Sequence, residues 1–535
     1  MSFRLNDPNV QQTSVLDAAT LMSDREKKFM DRSWAKYFAD YIFPNIDEQV
    51  FAQLYSDVAS RPNTPVNVIV GGLLLEQLTN QSDDDMMASM MFDLRYKVAL
   101  HTTGMAEQPV SDRTFGRFRE RCENHRLETG EDLLHDCIVK LSAQMAEIMK
   151  IDRSLRRMDS MMISANIKRM SRLELLYHCT AKMVMYLQKT KEQIPEELQH
   201  YLDKEDENLT LYYNKADNTS SKIDRILADD TVLVKQCAGG KYDEVTEYQL
   251  LLRVLNEQTV LQEDGSYRLK EAGDPTMNAS ILQNPSDPEA TFRSKAGKDH
   301  RGYVANLVEE KGEDGSLITD YQVEQNIHSD SEFMDEYIDN IGKQDETVTV
   351  VADGAYSGKA QEEHAAENNV EIFTTNMTGK EAKDIAADFE FNEDGTRVVR
   401  CPNGKEPKSC SCSKAGICTV SFHKSDCENC PFRDQCKPKE YARTNRVTIS
   451  ARAKERAEKQ RARKTDEFKK MSAFRNGVET VPSFLRRLFN VDRIPVRGKG
   501  RISFFFGCMV GALNVRKFCN CMRERDRSAQ MAVLG

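Results

Sequence analysis

The amino-acid sequence predicts an α/β protein with a mixed sheet flanked by helices, a helical N-terminal region and a Cys-rich insert. Three observations lead to this fold class. Strand-like and helix-like runs alternate between residues 303 and 374, residues 1–150 have a helical pattern, and seven of the 14 cysteines lie between Cys401 and Cys436. Because one compact core rarely serves 535 residues, we expect two to four folded units.

The N-terminal region, residues 1–150, contains three recognisable helix starts. Thr64-Pro65 offers a threonine N-cap followed by a proline at the first helical position. Ser82 precedes three aspartates, which favour the positive end of the helix dipole. A third helix is predicted to open near Ser111.

The helix near Ser111 has two distinct faces. One face is an apolar stripe of Phe115, Phe118 and Cys122. The other is a row of arginines, Arg113, Arg117 and Arg121. A row of arginines repeated every four residues can lie against DNA phosphates. It can equally be a solvated face, because Glu120 and Glu123 dilute the charge, and both interpretations stay open.

The mixed sheet is predicted from the order of the segments that follow. A short strand, 157–163, carries Asp159, and residues 166–260 are helical and mostly polar or acidic. The next elements are, in order, strands 303–308 and 318–325, helix 331–341, strand 348–351, helix 359–368 and strand 370–374.

The domain boundaries follow from these patterns and from composition. We predict an N-terminal domain over 1–150 and the first part of the core over 151–390, with a helical insertion at about 166–285. The Cys-rich insert covers 391–440, and 441–535 holds a basic helix and the rest of the core. The apolar stretch 502–517 is expected to pack back on that core.

The charge is distributed unevenly along the chain. The net charge is −10, yet residues 441–501 hold 18 Lys and Arg against 6 Asp and Glu, a local excess of +12 that leaves −22 for the remainder. A basic segment on an acidic protein can concentrate phosphate contacts at one surface. A solvated charged helix is the alternative interpretation.

The sequence carries no sign of a membrane or secreted protein. No apolar run approaches the roughly 18 residues that span a bilayer. The first ten residues, MSFRLNDPNV, lack the basic start and apolar stretch of a secretion signal. We therefore expect a cytoplasmic, nucleoid-associated protein.

Three acids stand out as candidate catalytic groups. Asp353 follows the β-branched run 348–352 and precedes a glycine, which places it at the carboxyl end of a strand, where α/β active sites open. Asp159 is a single acid in a largely apolar strand, and Glu479 lies in the basic helical segment. The ordinary alternatives are a helix cap for Asp353, an exposed edge acid for Asp159 and a surface glutamate for Glu479.

Together the three acids suit phosphodiester chemistry. Hydrolysing one phosphodiester and attacking another with the freed 3′-hydroxyl requires an activated oxygen nucleophile and a stabilised leaving oxygen. Two Mg²⁺ ions bound through a few carboxylates do both. A basic surface beside the acids would hold the DNA.

The chain resembles insertion-sequence transposases of the IS1182 group, within the IS4/IS5-like DDE class, over nearly its whole length. The resemblance is carried by RPNTPVN at 61–67, MFDLRY at 91–96, SDRTFGRFR at 111–119, MDS at 158–160, ADGAY at 352–356, RIPVRGK at 493–499 and GALNVR at 511–516. The family's catalytic acids match Asp159, Asp353 and Glu479. Its signature around the glutamate is incomplete here: Arg475 matches, Arg486 takes the lysine position, and Ser472 stands where the family has a tyrosine.

The resemblance implies an RNase H-like core, Mg²⁺ or Mn²⁺ at Asp159, Asp353 and Glu479, and supporting or DNA-binding roles for Arg475 and Arg486. It implies double-stranded DNA at transposon terminal inverted repeats, and target DNA, as partners. Because two ends must be brought together, we expect at least a homodimer on DNA, with the N-terminal domain in DNA binding or assembly.

The cysteine spacing predicts a separate metal site. Cys427, Cys430 and Cys436 place three sulfurs within reach of one tetrahedral Zn²⁺, and Cys418 is the predicted fourth ligand. Cys412, Cys410 and His423 are alternatives for that position. An iron–sulfur cluster or plain reduced thiols are the alternatives to zinc.

Two other functions remain open at this level. A catalytically inactive, metal-stabilised DNA-binding protein derived from a transposase would keep the DNA-contact surfaces without needing the acids. A metal-dependent nuclease would cut without joining.

Overall fold

A computed structural model describes residues 1–6, 17–56, 58, 60–104, 110–213, 218–271, 273–295, 297–375, 383–462 and 464–534. The chain divides into two compact units. The first unit comprises Met1–Asn340 and Thr480–Gly535, and the second unit comprises Ile341–Glu479.

The N-terminal region of the first unit is helical, as predicted. Its helices are α1 (Asp24–Met30), α2 (Trp34–Tyr37), α3 (Val66–Thr79), α4 (Asp83–Phe92), α5 (Leu94–Ala99), α6 (Thr114–Thr129) and α7 (Leu133–Met149). The Ser82 side chain accepts the Asp85 N–H, which confirms the predicted cap of α4. Two other starts were predicted too early, since Pro65 rather than Thr64 is the N-cap of α3 and Arg113 is the N-cap of α6.

The predicted strand around Asp159 is confirmed as β1 (Leu155–Ser164), which pairs antiparallel with β5 (Lys298–Gly312) and places Asp159 opposite Leu307. The helical insertion between these two strands has its own apolar core. Its elements are α8 (Arg172–Lys189), α9 (Lys204–Glu207), α10 (Thr219–Cys237), α11 (Thr246–Gln258), β2 (Thr259–Leu261) and β3 (Tyr267–Leu269).

The strands that follow form an antiparallel array. They are β4 (Thr291–Lys295), β5 (Lys298–Gly312) and β6 (Gly315–Gln325), and β5 pairs with β1, β4 and β6. Helix α12 (Asp330–Ile341) comes next. Both predicted strands and the predicted helix are confirmed in this stretch, with β5 longer than expected.

The second unit begins with the predicted strand–helix–strand motif. Strand β7 (Val348–Ala352) and strand β8 (Val370–Thr374) pair in parallel, and α13 (Lys359–Glu367) connects them. With a helical N-terminal region, antiparallel strands in the first unit and this parallel pair in the second, the α/β prediction is confirmed.

The Cys-rich part of the second unit contains two small sheets and a compact core. One sheet pairs β9 (Glu390–Phe391) with β10 (Val398–Arg400), and the other has the order β11-β12-β14-β13. The remaining elements are β11 (Ser409–Cys412), β12 (Ile417–His423), α14 (Lys424–Glu428), α15 (Arg433–Cys436), β13 (Lys439–Glu440) and β14 (Thr444–Ser450). The apolar core includes Phe389, Val420 and Phe422.

The basic segment is helical, as predicted, but it is broken into pieces. Helices α16 (Ala451–Ala462) and α17 (Asp466–Asn476) end the second unit, followed by the 3₁₀ turn Gly477–Glu479. The chain then returns to the first unit as α18 (Thr480–Phe489) and α19 (Lys499–Leu534).

Helix α19 is the central helix of the first unit. It packs against α3, α7 and β6, which confirms that the apolar stretch 502–517 lies on the core. By length and composition it is also apolar enough to cross a membrane, so the prediction that no apolar run approaches that length is wrong. However, 78% of its most apolar window is buried inside the protein, as expected for a core helix.

Candidate functional site

Asp353 lies where the sequence predicts, immediately after the last residue of β7. Its Oδ1 accepts the N–H of Ala355 at 2.8 Å, which closes a tight turn through Gly354. Helix α13 begins six residues later with Gly358 as its N-cap, so the alternative that Asp353 caps this helix is wrong. The side chain of Asp353 is 31% exposed.

Arg475 connects Asp353 with Glu479 inside the second unit. Its Nη1 donates to Oε1 of Glu479 at 2.7 Å, and its Nη2 lies 4.0 Å from Oδ2 of Asp353. The Arg475 side chain is only 9% exposed, against 60% for Glu479. Two of the three predicted acids therefore lie around one buried guanidinium, although they are far apart in the sequence.

Local structure explains the shorter of these two contacts. Arg475 lies in the last turn of α17, and the 3₁₀ turn that follows carries Glu479 four residues further on, which is the spacing that brings side chains onto one face of a helix. The contact with Asp353 depends instead on how α17 packs beside β7. Ser472, in the position of the family's tyrosine, is half-buried on α17.

Asp159 lies in the first unit, half-buried in β1. Its Oδ1 accepts the N–H of Ser160 at 3.0 Å. Arg486 is hydrogen-bonded to the same strand, because its Nη2 donates to the Met162 carbonyl at 3.2 Å. Its Nε donates to Asp492 at 3.1 Å. The arginine in the lysine position of the family signature thus lies beside the strand that carries the first predicted acid.

A buried charge cluster on β1 was missed by the sequence reading. Arg157, two residues before Asp159, donates to Glu309 at 2.8 Å, and Lys517 donates to the same carboxylate at 2.7 Å. Burial raises the pKa of Glu309, but Lys517 and Arg157 outweigh this and lower it below its usual range. The available signal was an Arg-Arg pair at 156–157 and a Glu-Glu pair at 309–310, which become neighbours once β1 and β5 are in register.

The three arginines near Ser111 do not form one equivalent row. Arg113 is the exposed N-cap residue of α6 and Arg117 is exposed on the helix, whereas the Arg121 guanidinium stacks over the Tyr55 ring at 5.0 Å. A neighbour not selected from the sequence, Arg119, holds α6 in place. It forms ion pairs with Glu76 at 2.9 Å and Asp83 at 2.7 Å.

The structure changes the predicted set of clustered cysteines. Cys418 is fully buried on β12 and is disulfide-bonded to Cys412, which lies directly opposite it on β11, and Cys410 is their neighbour. Cys401, which was not among the predicted ligands, lies near Cys427, Cys430 and Cys436. A cavity of about 30 Å³ is lined by Cys401, Cys427, Cys430 and Cys436.

The thiols that line this cavity affect the pKa of Cys436. Burial, together with Cys430, Cys401 and Cys427, raises this pKa to about 11, while Lys383 opposes them. His423, one of the alternative ligands, instead begins α14 as its N-cap. The spacing within 427–436 was informative, but the position of Cys401 depends on the fold of the preceding β9–β10 hairpin.

Two family models match the chain. The model described as Transposase domain (DUF772) matches residues 27–121, and the model described as Transposase DDE domain matches residues 400–519. No curated protein and no solved structure matches the chain. The two matches confirm the resemblance to transposases and are typical of the IS1182 group.

The matched segments contain part of the site described above. The first includes α3 to α5 and the arginines at the start of α6, and the second includes Arg475, Glu479, Arg486 and all seven clustered cysteines. Asp159 and Asp353 lie outside both matches.

Proposed function

We propose that this chain, which matches transposase models over two segments, is a DDE transposase that cleaves DNA at the ends of an insertion sequence and joins them to target DNA. The observation that carries the proposal is the placement of Asp353 and Glu479 around buried Arg475, within a chain that also matches a DDE domain. An RNase H-like core is the fold that this proposal assumes for the α/β elements.

In this proposal Asp159, Asp353 and Glu479 hold two Mg²⁺ or Mn²⁺ ions. Hard divalent ions prefer carboxylate oxygens and keep several water or phosphate ligands, which suits the partly exposed Asp353 and the exposed Glu479. The bound ions would supply an activated oxygen nucleophile and stabilise the leaving 3′-oxygen.

The surrounding residues have separate roles in the proposed site. Arg475 orients Asp353 and Glu479 from the buried side of the proposed site, because its guanidinium is buried and contacts both carboxylates. Arg486 is placed at β1, where it can contact a phosphate or steady the strand of Asp159. Neither role needs a serine, tyrosine or cysteine nucleophile.

DNA would be held by exposed basic side chains. Among the described side chains of α16, α17 and the turn between them, the exposed cations are Arg452, Arg456, Lys464, Lys469 and Lys470. Arg113 and Arg117 offer a second exposed pair in the N-terminal domain, for which we propose DNA binding or assembly. A dimer on DNA follows from the need to hold two ends together.

A strand-transfer assay tests this function. Purified protein is incubated with Mg²⁺ and DNA carrying the ends that flank its coding region, and joined product is measured. We expect Asp353→Asn and Glu479→Gln to reduce joining by at least about 100-fold while leaving DNA binding intact.

The outcomes separate the proposed function from its alternatives. Cleavage without joining indicates a nuclease, and binding without either reaction indicates a catalytically inactive DNA-binding protein. The second alternative has one observation in its favour, since the Arg475–Glu479 ion pair occupies a carboxylate that the metal would need. Full activity in both variants would overturn the assignment of the acids.

A further inference from the structure

The four cysteines around the small cavity are presented by turns that suit metal binding. Cys401 opens a tight loop in which its carbonyl accepts the Gly404 N–H at 2.8 Å and its own N–H donates to Lys405 at 2.9 Å. Gly404 has a φ of +71°, a conformation that favours glycine. Cys427 and Cys430 come from the end of α14 and the loop after it, and Cys436 ends α15.

Polar and cationic groups surround the cavity. The buried Asn445 side chain, which has no hydrogen-bond partner among the described residues, lies near Cys427. Arg433 donates to the Cys427 carbonyl at 2.7 Å and Lys383 lies beside Cys436, so two cations lie near the four sulfurs.

We propose that Cys401, Cys427, Cys430 and Cys436 bind a single structural Zn²⁺ with four sulfur ligands. Zinc prefers a closed tetrahedral set of cysteine thiolates when its role is structural. The four cysteines line one cavity of about 30 Å³, which has room for one ion. This inference is independent of the proposed DNA chemistry, since it uses none of the three acids.

The neighbouring cysteine group is a poorer candidate for the same ion. Among the described residues, Cys410, Cys412 and Cys418 are the one group of His, Cys, Asp or Glu side chains whose ligand atoms all lie within 4.8 Å of one another. The sulfurs around the cavity lie farther apart than this and would move closer on binding an ion. Two of the three cysteines in the first group, however, form a disulfide, and no fourth His, Cys, Asp or Glu of the described residues joins them. Three sulfurs with one bond between them do not make a closed tetrahedral site.

The proposed ion has a clear structural role. The β9–β10 hairpin and the sheet β11-β12-β14-β13 are separate sheets among the described residues. Cys401 follows the hairpin, whereas Cys427, Cys430 and Cys436 belong to α14, α15 and the loop between them, which follow β12. A shared ion therefore crosslinks the hairpin to the larger sheet across a small apolar core.

Metal content of the full-length protein provides the first test. We expect about one zinc per chain by elemental analysis of wild-type protein, and loss of that zinc in Cys401→Ser. The matched control is the double variant Cys412→Ser/Cys418→Ser, which should retain it. Retention by Cys401→Ser together with loss in the control would overturn the ligand set, and iron in place of zinc would overturn the choice of metal.

X-ray absorption at the zinc edge keeps the proposal testable if Cys401→Ser fails to fold. Wild-type protein should show four sulfur neighbours at about 2.3 Å. Three or fewer sulfurs, or nitrogen neighbours, would contradict a site made of four cysteines.

Discussion

Arg475 is the residue on which the arrangement of the second unit's acids depends. A guanidinium can donate to two carboxylates in a fixed planar geometry, whereas an ammonium is a single compact charge. Since its side chain is 9% exposed and contacts both Asp353 and Glu479, removing it would leave two acids that repel each other across a small space.

We predict that Arg475→Ala reduces strand cleavage by about 10- to 100-fold, the loss expected when a group that orients metal ligands is removed. Arg475→Lys should recover only part of it. The measurement is a Mg²⁺ titration of cleavage, in which a positioning role raises the Mg²⁺ concentration needed for half-maximal rate.

The matched control for this prediction is Arg253→Ala. Arg253 forms the same arginine–glutamate pair at a spacing of four residues, with Glu257 at 2.8 Å, but it lies in the helical insertion. An unchanged Mg²⁺ dependence in Arg475→Ala, or an equal change in the control, would contradict the positioning role.

A second residue-scale prediction concerns His135 and the pH dependence of stability. Burial lowers the pKa of His135, but hydrogen bonds to Asp136 and to Asp320, the latter at 2.8 Å, outweigh it and raise the pKa to about 10. A raised pKa means that the folded state binds the proton more tightly than the unfolded state. The stabilisation is complete below about pH 6.5 and is lost as the pH rises toward about 10.

We therefore expect the free energy of unfolding to fall between about pH 6.5 and about 10, and this slope to flatten in His135→Gln. Urea unfolding at several pH values across that range measures the free energy of unfolding. His178→Gln serves as the control, because burial lowers the pKa of His178 and its titration lies below this window. A slope equal to wild type in His135→Gln would refute the assignment.

At the scale of elements, the first unit is organised by the close packing of β6, α3 and α7 against α19. The glycines at positions 507 and 511 of α19 allow these elements to approach it. A Cβ at Gly507 would lie 2.2 Å from the hydroxyl of Tyr321, and one at Gly511 would lie 2.6 Å from Leu74. Tyr321 is itself fully buried, so it has little room to move.

We predict that Gly507→Ala lowers the free energy of unfolding by about 1–3 kcal/mol, because overpacking forces buried groups apart. Gly116→Ala on α6 is the matched control, since its Cβ would meet nothing within 4 Å. That variant should be neutral or more stable by up to about 1 kcal/mol from helix propensity alone. Chemical denaturation compares the two, and equal stability would argue against tight packing at Gly507.

At the scale of the whole molecule, charge distribution governs the expected interaction with DNA. The chain carries −10 overall, and yet the 441–501 segment carries an excess of +12. The structure shows that part of this excess is neutralised locally, since Arg461 forms ion pairs with Asp384 at 3.1 Å and Asp388 at 2.6 Å. Fewer cations are therefore available for phosphates than the sequence count suggests.

We predict that Lys469→Gln/Lys470→Gln weakens DNA binding and reduces the slope of log K against log salt by about 1 for each lost phosphate contact. Binding to double-stranded DNA at several salt concentrations measures this slope. The exposed pair Lys189→Gln/Lys191→Gln, in the helical insertion, provides the control with the same change in net charge. Equal slopes in the two double variants would exclude α17 from the DNA-binding surface.

Much of the local structure could be predicted from the sequence. Ser82 as a cap, β8 at 370–374 and the acid after β7 depend on near neighbours, and hydrophobic periodicity and capping chemistry identify them. Failures at this level were small: the start of α3 was predicted one residue too early, because Thr64 and Pro65 are both acceptable at a helix start.

The sequence by itself determined the order of helices and strands between residues 303 and 374 and the placement of Asp353 at a strand end, since each depends on residues close in the chain. Only the tertiary structure decided that Arg475 also reaches Asp353, that Arg157 and Lys517 share Glu309, and that Cys401 rather than Cys418 joins Cys427, Cys430 and Cys436. The physical reason is that backbone periodicity sets contacts within a few residues, whereas contacts across a hundred residues are set by how whole elements pack, which no local spacing encodes.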